Sequence, residues 1–221
     1  MFTWKRFPMK KTDGMKRHRY KGQSIVEFTL LLPLLLMLLS SLIEFGFVLN
    51  EYLDLIDTTR ETARYLADVQ PFIPPGTQMR EDFYLDGVKE MSNTIERAGW
   101  IDLDPSVDDL IISVFSITGS TNIARYPGQF TDDRGACSGD SNGGTLGWRL
   151  NCVSTTKFTA QDVLNRFSSG TSQTPPDNGV VLVEIYYHYH MRLGLPWVTG
   201  IIGDTVELHA YSFAPNPYAE P

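Results

Sequence analysis

Few residues in this 221-residue chain have the type and spacing to do chemistry. Glu27 is the first. It stands at the start of an apolar run whose stretch Phe28–Ile43 holds no charge, and Glu44 closes that stretch. A carboxylate at mid-bilayer depth costs about 2.5–3.5 kcal/mol on insertion scales, and less near an interface. An acid there serves either to pair with a cation or to sit among lipid headgroups. Glu184, His188, His190 and His209 form a second group. On two neighbouring strands these four would share one face, three imidazoles and a carboxylate being the ligand types of zinc. An ordinary solvated sheet face has the same alternation, so no metal is assigned.

A third feature is the cysteine pair Cys137 and Cys152, 15 positions apart across a Gly-rich loop. In an oxidising compartment such a pair reads as a disulfide, worth about 3 kcal/mol through restriction of the unfolded chain. The same loop holds Asp132, Asp133, Asp140 and Asn142, but the spacing is not that of an EF-hand and turn chemistry explains these residues equally well. Asp108–Asp109 reads as a solvated turn at a strand start. No G-x-S-x-G elbow, P-loop or H-E-x-x-H occurs. The chain is therefore read as a non-enzyme without a cofactor.

The elements that must position these residues begin with charge. Residues 1–21 carry eight Lys and Arg against the single acid Asp13, a net +7, so the remainder carries −14. A basic block abutting an apolar run marks the cytoplasmic side of a span. The acidic remainder argues against nucleic acid as a partner. Leu30–Leu39 contains eight leucines in ten residues, far more apolar than the stripe of a soluble helix. With its uncharged flanks, the run reaches the 20 or so residues a span requires. Pro33 is tolerated in lipid as a kink. Ser40–Ser41–Leu42 is a poor signal-peptidase site, and helical spacing continues through Leu49, Tyr52, Leu53, Ile56, Ala63 and Leu66. The expectation is one helix from near Ser24 to near Asp68, about 68 Å long. That is longer than a bilayer is thick, so its second half needs a surface to pack on.

Four motifs in order now carry a resemblance. Gly22-Gln-Ser-Ile-Val-Glu27-Phe28, Leu31-Leu-Pro33, Glu44-Phe45-Gly46 and Thr59-Arg60-Glu61-Thr-Ala63-Arg64-Tyr65 resemble the TadE-like pseudopilins of the tight-adherence (Flp pilus) system. The resemblance covers roughly residues 20–68. It implies cutting by a prepilin peptidase between Gly22 and Gln23, which would make Glu27 the fifth residue of the mature chain. It implies that Glu27, followed by Phe28, pairs with the new amino terminus of an adjacent subunit. It also implies other pilins or pseudopilins as partners of the helix. Gln23 departs from the pattern, since it can cyclise and lose the terminal charge.

Beyond the helix, a break at Pro71–Gly76 leads to an amphipathic helix over 78–98 and a strand over 110–117. The Gly/Asp/Ser-rich stretch 119–158 follows, then a short helix over 160–167 and strands over 180–191 and 205–213. Residues 194–203 read as a short helix or a loop, and 215–221 as a loose tail. Strand 180–191 alternates, with Val181, Val183, Ile185, Tyr187 and Tyr189 on a buried face and Glu184, Tyr186, His188 and His190 on a wetter one. The expected fold is α+β, a long transmembrane helix followed by a small antiparallel sheet. The expected organisation is a basic cytoplasmic leader (1–22), the long helix (23–70) and an extracytoplasmic α+β domain (71–221). The functional expectation is a minor pseudopilin acting in pilus assembly or adhesion. It would be a single-pass membrane protein with a cytoplasmic N-terminus, able to join an extracellular pilus. The alternative is an uncut, membrane-anchored binding domain outside the cytoplasm, and a membrane-tethered enzyme stands third.

Overall fold

The computed structural model describes residues 23–74, 78–118, 122–126, 147–168 and 178–219. Helix α1, Gln23–Ala67, is a single 45-residue element. It is long and apolar enough to cross a membrane, and no part of its apolar window is buried. Residues 40–221 form one compact unit, so the second half of α1 belongs to the body that contains the sheet, while residues up to Leu39 form a separate unit.

After α1 come a small hairpin, β1 (Phe72–Ile73) with β2 (Gln78–Met79), and helix α2 (Glu81–Ala98). Strands β3 (Asp109–Thr118), β4 (Asn122–Tyr126) and β5 (Trp148–Arg149) precede helix α3 (Ala160–Ser168). Strand β6 (Asn178–His190), helix α4 (Pro196–Ile202) and strand β7 (Thr205–Asn216) complete the chain. The sheet is antiparallel with order β4-β3-β6-β7, and β5 adds to β3 beside β4. This is an α+β protein, a long apolar helix followed by a small antiparallel sheet domain.

The helix–sheet interface follows from the α1 sequence. Its buried positions Glu44, Glu51, Leu55, Thr58, Thr59, Thr62, Ala63 and Leu66 recur every three or four residues, the stripe of one helical face. That stripe meets Val181, Val183, Ile185, Tyr187 and Tyr189 of β6, the face expected to be buried, with Phe83, Tyr84, Met91 and Ile95 of α2. Gly87 lets α2 approach closely, since a Cβ there would fall 2.8 Å from Ile112 Cδ1 and 3.0 Å from Leu66 Cδ1. Gly99, at φ +73, ends α2 by donating its N–H to Ile95 O.

Three expectations are corrected. The second face of β6 is wet only towards its end, where His188 is half-buried and His190 exposed. Glu184 and Tyr186 are buried, because α3 and the chain before it fold across that side. Phe115, Ile117, Val163, Leu164, Val180 and Leu182 make a second small core there, with Phe158 and Phe213 packed against it. Asp108 and Asp109 are buried rather than solvated. Asp109 accepts the backbone N–H groups of Asn151, Val153 and Ser154 at 2.9–3.0 Å and so fixes the loop after β5. Residues 215–219 are not a loose tail: β7 runs through Asn216, whose side chain donates to Leu66 O and Val69 O, both at 2.9 Å. Leu66 O also accepts the Val69 N–H at 3.2 Å, so Asn216 ties β7 to the last turn of α1 and to the chain just beyond it. Strand β4 and the short β5, within the stretch read as Gly-rich loop, were not expected.

Helix α3 starts with a reciprocal cap. Thr159 Oγ1 accepts the Asp162 N–H at 3.2 Å, and the Asp162 carboxylate accepts the Thr159 N–H at 2.9 Å and its hydroxyl at 2.6 Å. The hydroxyl and then the N–H of Thr159 hold the Asp162 carboxyl below its ordinary range. A carboxyl lowered by folding stabilises above its unfolded pKa of about 3.9 and loses that contribution as pH falls through the lower folded value. The protection of α3 amides, relative to their intrinsic exchange rates, should therefore fall on acidification below about pH 4 before that of β6 does. Asp162→Asn should remove that early step, as read by hydrogen–deuterium exchange.

Candidate functional site: the long helix and its anchorage

The candidate site is α1 itself, in two parts. In the first, Glu27 and Phe28 are exposed on an apolar helix surface shared with Ile25, Leu31 and Leu35. Pro33 lies inside the helix. It has no N–H to offer the carbonyl four residues earlier, that of Thr29, while the Thr29 hydroxyl donates to Ile25 O at 2.8 Å. Gly22 lies outside the described residues.

The second part is where α1 is held. Glu44 is buried, and its carboxylate accepts three hydrogen bonds: from Tyr189 OH (2.6 Å), the Arg192 N–H (2.8 Å) and the Leu193 N–H (2.8 Å). Two turns on, buried Glu51 accepts from Arg192 Nε at 3.0 Å and from Arg192 Nη2. The Arg192 guanidinium lies over the rings of Phe47 (5.6 Å) and Trp100 (5.3 Å). The hydrogen bond to Glu51 raises the Arg192 pKa above its ordinary value. Burial first, then the hydrogen bond to Glu44, raises that of Tyr189, so Tyr189 remains a donor. The end of β6 is thereby bound to α1 at two carboxylates.

Phe45 and Gly46 are exposed, as are Arg60, Glu61 and Arg64. Arg60 approaches Asp57 at 3.6 Å, with both side chains well exposed. A Cβ at Gly46 would meet nothing within 4 Å. The helix thus divides its motifs: Glu44, Thr59, Thr62 and Ala63 turn to the sheet domain, while Phe45, Gly46, Arg60, Glu61 and Arg64 are exposed.

The histidines share a face as expected, with Tyr186 opposite His209, His188 opposite Glu207 and His190 opposite Thr205. They do not converge. His209 Nε2 lies 3.1 Å from Glu184 Oε1, and His188 Nδ1 lies 3.1 Å from Asp108 Oδ1. Among the described residues, no three His, Cys, Asp or Glu side chains are placed to hold a metal ion. Cys152 has its backbone at φ +62, while Cys137 and the Asp132–Asn142 loop lie outside the described residues. Sequence reasoning missed Glu51, Arg192 and Asn216 and misread Asp108. Glu51 lies seven residues after Glu44 on the same helical face, a spacing that groups the two acids but does not point to Arg192.

Glu44→Ala removes an acceptor and leaves a buried phenol and two backbone donors to find others. It should destabilise the sheet domain by about 3 kcal/mol, measured by denaturant unfolding. Phe45→Ala, on the exposed side, should change stability far less.

Comparison with known proteins bears on α1 alone. No curated protein matches the chain, and no solved structure does. Residues 22–64, less than a quarter of the chain, match the family model described as TadE-like protein. That segment starts one residue before α1 and ends three residues before its last turn closes, so the helix bearing Glu27, Glu44 and Gly46 is the TadE-like part of this protein.

Proposed function

We propose that this protein is a minor pseudopilin of a tight-adherence pilus system, a structural subunit rather than an enzyme. It is cut between Gly22 and Gln23, held in the membrane by α1 and then packed against other pilin helices. The sheet domain lies outside the cytoplasm, opposite the basic leader, where a Cys137–Cys152 bridge can form. The observation that carries this reading is the TadE-like match over 22–64 on a single helix, combined with the outward placement of Phe45, Gly46 and Arg60. The sheet domain uses Glu44 and leaves open the space beside Gly46, a pocket bordered by Phe47, Trp100 and Arg192. Small residues on a helix allow close approach of a second helix.

Cutting at Gly22 leaves a new amino terminus four residues from Glu27. A buried carboxylate needs a cation, and removing one partner of a buried pair costs about 3–5 kcal/mol. Glu27 therefore pairs best with the terminus of a neighbouring subunit, which sets the axial register of the helices.

The N-terminus of protein extracted from membranes should be Gln23 or its cyclised form, read by mass spectrometry. An intact leader would leave a plain anchored domain, and a start beyond residue 41 would rule out both. Glu27→Ala should insert and be cut normally but fail to enter the pilus machinery. Gly46→Leu should leave the stability of the single chain within about 0.5 kcal/mol and lower co-purification with pilin partners. Unchanged co-purification would show that the Gly46 side of α1 is not an assembly face.

A further inference from the structure

The segment from Leu193 to Gly203, LGLPWVTGIIG, contains no charged residue. Helix α4 lies within it and buries none of its residues. Ile201 is 86% exposed and Ile202 61%, and Leu193 and Trp197 are exposed as well. Trp100, 61% exposed, stands over the Arg192 guanidinium nearby. Isolated apolar residues are normal on a water-facing surface, but a cluster of this kind marks an interaction face.

The position of α4 on α1 indicates what covers this face. Trp197 Nε1 donates to Ser40 Oγ at 3.2 Å. Ser40 lies within the uncharged stretch Phe28–Ile43, and a span of about 20 residues counted from Ser24 ends at Ile43. The exposed apolar surface of α1 continues beside it through Leu42, Ile43 and Phe45. The first acid after the stretch, Glu44, is turned into the sheet domain. Several polar groups of α4 bond within it: Val198 and Thr199 N–H and the Thr199 hydroxyl donate to Leu195 O, and Gly203 N–H donates to Thr199 O. A segment without charges can enter the hydrated boundary between headgroups and acyl chains at little electrostatic cost. Tryptophan is the side chain most enriched at that boundary, together with tyrosine.

We propose that α4, with Leu193 and Trp100, is a lipid-binding collar that enters the leaflet surface from which α1 emerges. Its partner is the bilayer surface. This rests on α1 crossing a membrane and not on pilus assembly. The collar seats the sheet domain on the bilayer at a fixed height, and the Glu44 and Glu51 bonds to Arg192 transmit that height to α1.

The test uses the full chain carrying Trp4→Phe, reconstituted into phosphatidylcholine–phosphatidylglycerol vesicles whose acyl chains are brominated either near the headgroup or near the chain end. Tryptophan emission should fall about twofold with bromines near the headgroup and much less with bromines near the chain end. Trp100→Phe with Trp197→Phe should abolish that quenching, leaving the buried Trp148. Ile201→Glu with Ile202→Glu replaces two exposed side chains, so the fold should melt as before while the quenching is lost. Protein that stays with the vesicles after an alkaline wash yet is not quenched overturns the collar and leaves the span intact. Protein released by the wash overturns both. Quenching that survives loss of Trp100 and Trp197 overturns the collar. So does tryptophan shielding that rises with the protein-to-lipid ratio, which would place a second copy on this face.

Discussion

The Glu44 carboxylate is out of water and must be satisfied by the protein itself. A buried ionised group without hydrogen bonds costs several kcal/mol, so whatever packs against α1 at that height has to bring donors. The end of β6 brings three: a phenol and two consecutive backbone N–H groups. Those two N–H groups belong to the turn that leads into α4, so the same contact fixes where that helix stands. Glu51 then needs a cation, and Arg192, whose own N–H already serves Glu44, supplies it. One arginine thereby closes both carboxylate sites, and its guanidinium covers Phe47 and Trp100.

The far end of α1 is held by a different device with the same logic. Helix ends leave carbonyls without intrahelical partners. Asn216, the last residue of β7, donates to Leu66 O in the last turn and to Val69 O just beyond it. Between Glu44 and these carbonyls, Leu55, Ala63 and Leu66 supply apolar burial, which is strong but non-directional. The hydrogen-bonded ends supply position. Strands β6 and β7, paired along their full length, link the two ends, so the sheet spans the second half of the helix.

The long helix was legible in the sequence to within a residue at each end because composition alone carries the signal: eight leucines in ten residues need no tertiary context. Strands β3, β6 and β7 were legible from runs of β-branched and aromatic residues bounded by turn residues. The anchorage was less so. Glu44 stood out as part of a motif, yet its partners lie about 145 positions away in the chain, and pairing over such a distance leaves no local pattern. Glu51 and Arg192 look like ordinary surface charges until α1 and β6 are placed side by side. The buried Asp108 and Asp109 were misread for a related reason. Acids at a strand start usually face water, and only the returning loop at Asn151–Ser154 and the N–H of His188 enclose them. The wet face assigned to β6 holds at His190 but fails at Glu184 and Tyr186, because the small α3 and the chain before it supply a covering layer. Period-2 polarity marks Glu184 and His209 as polar but does not reveal that they bond to each other inside that layer.

The choice of polar residues on the docking stripe of α1 has a physical consequence for register. The first half of the helix is apolar on every side, and a second half presenting only leucines to the sheet would pack nearly as well one turn up or down. Glu44 and Glu51, both buried, make those alternatives costly. A slip of one turn, about 5.4 Å, would carry Glu44 away from Tyr189 and the two N–H groups. The same slip would separate Asn216 from Leu66 O and Val69 O. Each lost acceptor leaves buried donors unpaired, at about 1–3 kcal/mol apiece, and both anchor points fail together because they lie on one continuous stretch of helix. Apolar burial thus makes the sheet domain adhere to the helix, and the two hydrogen-bonded ends select the single height at which it does so.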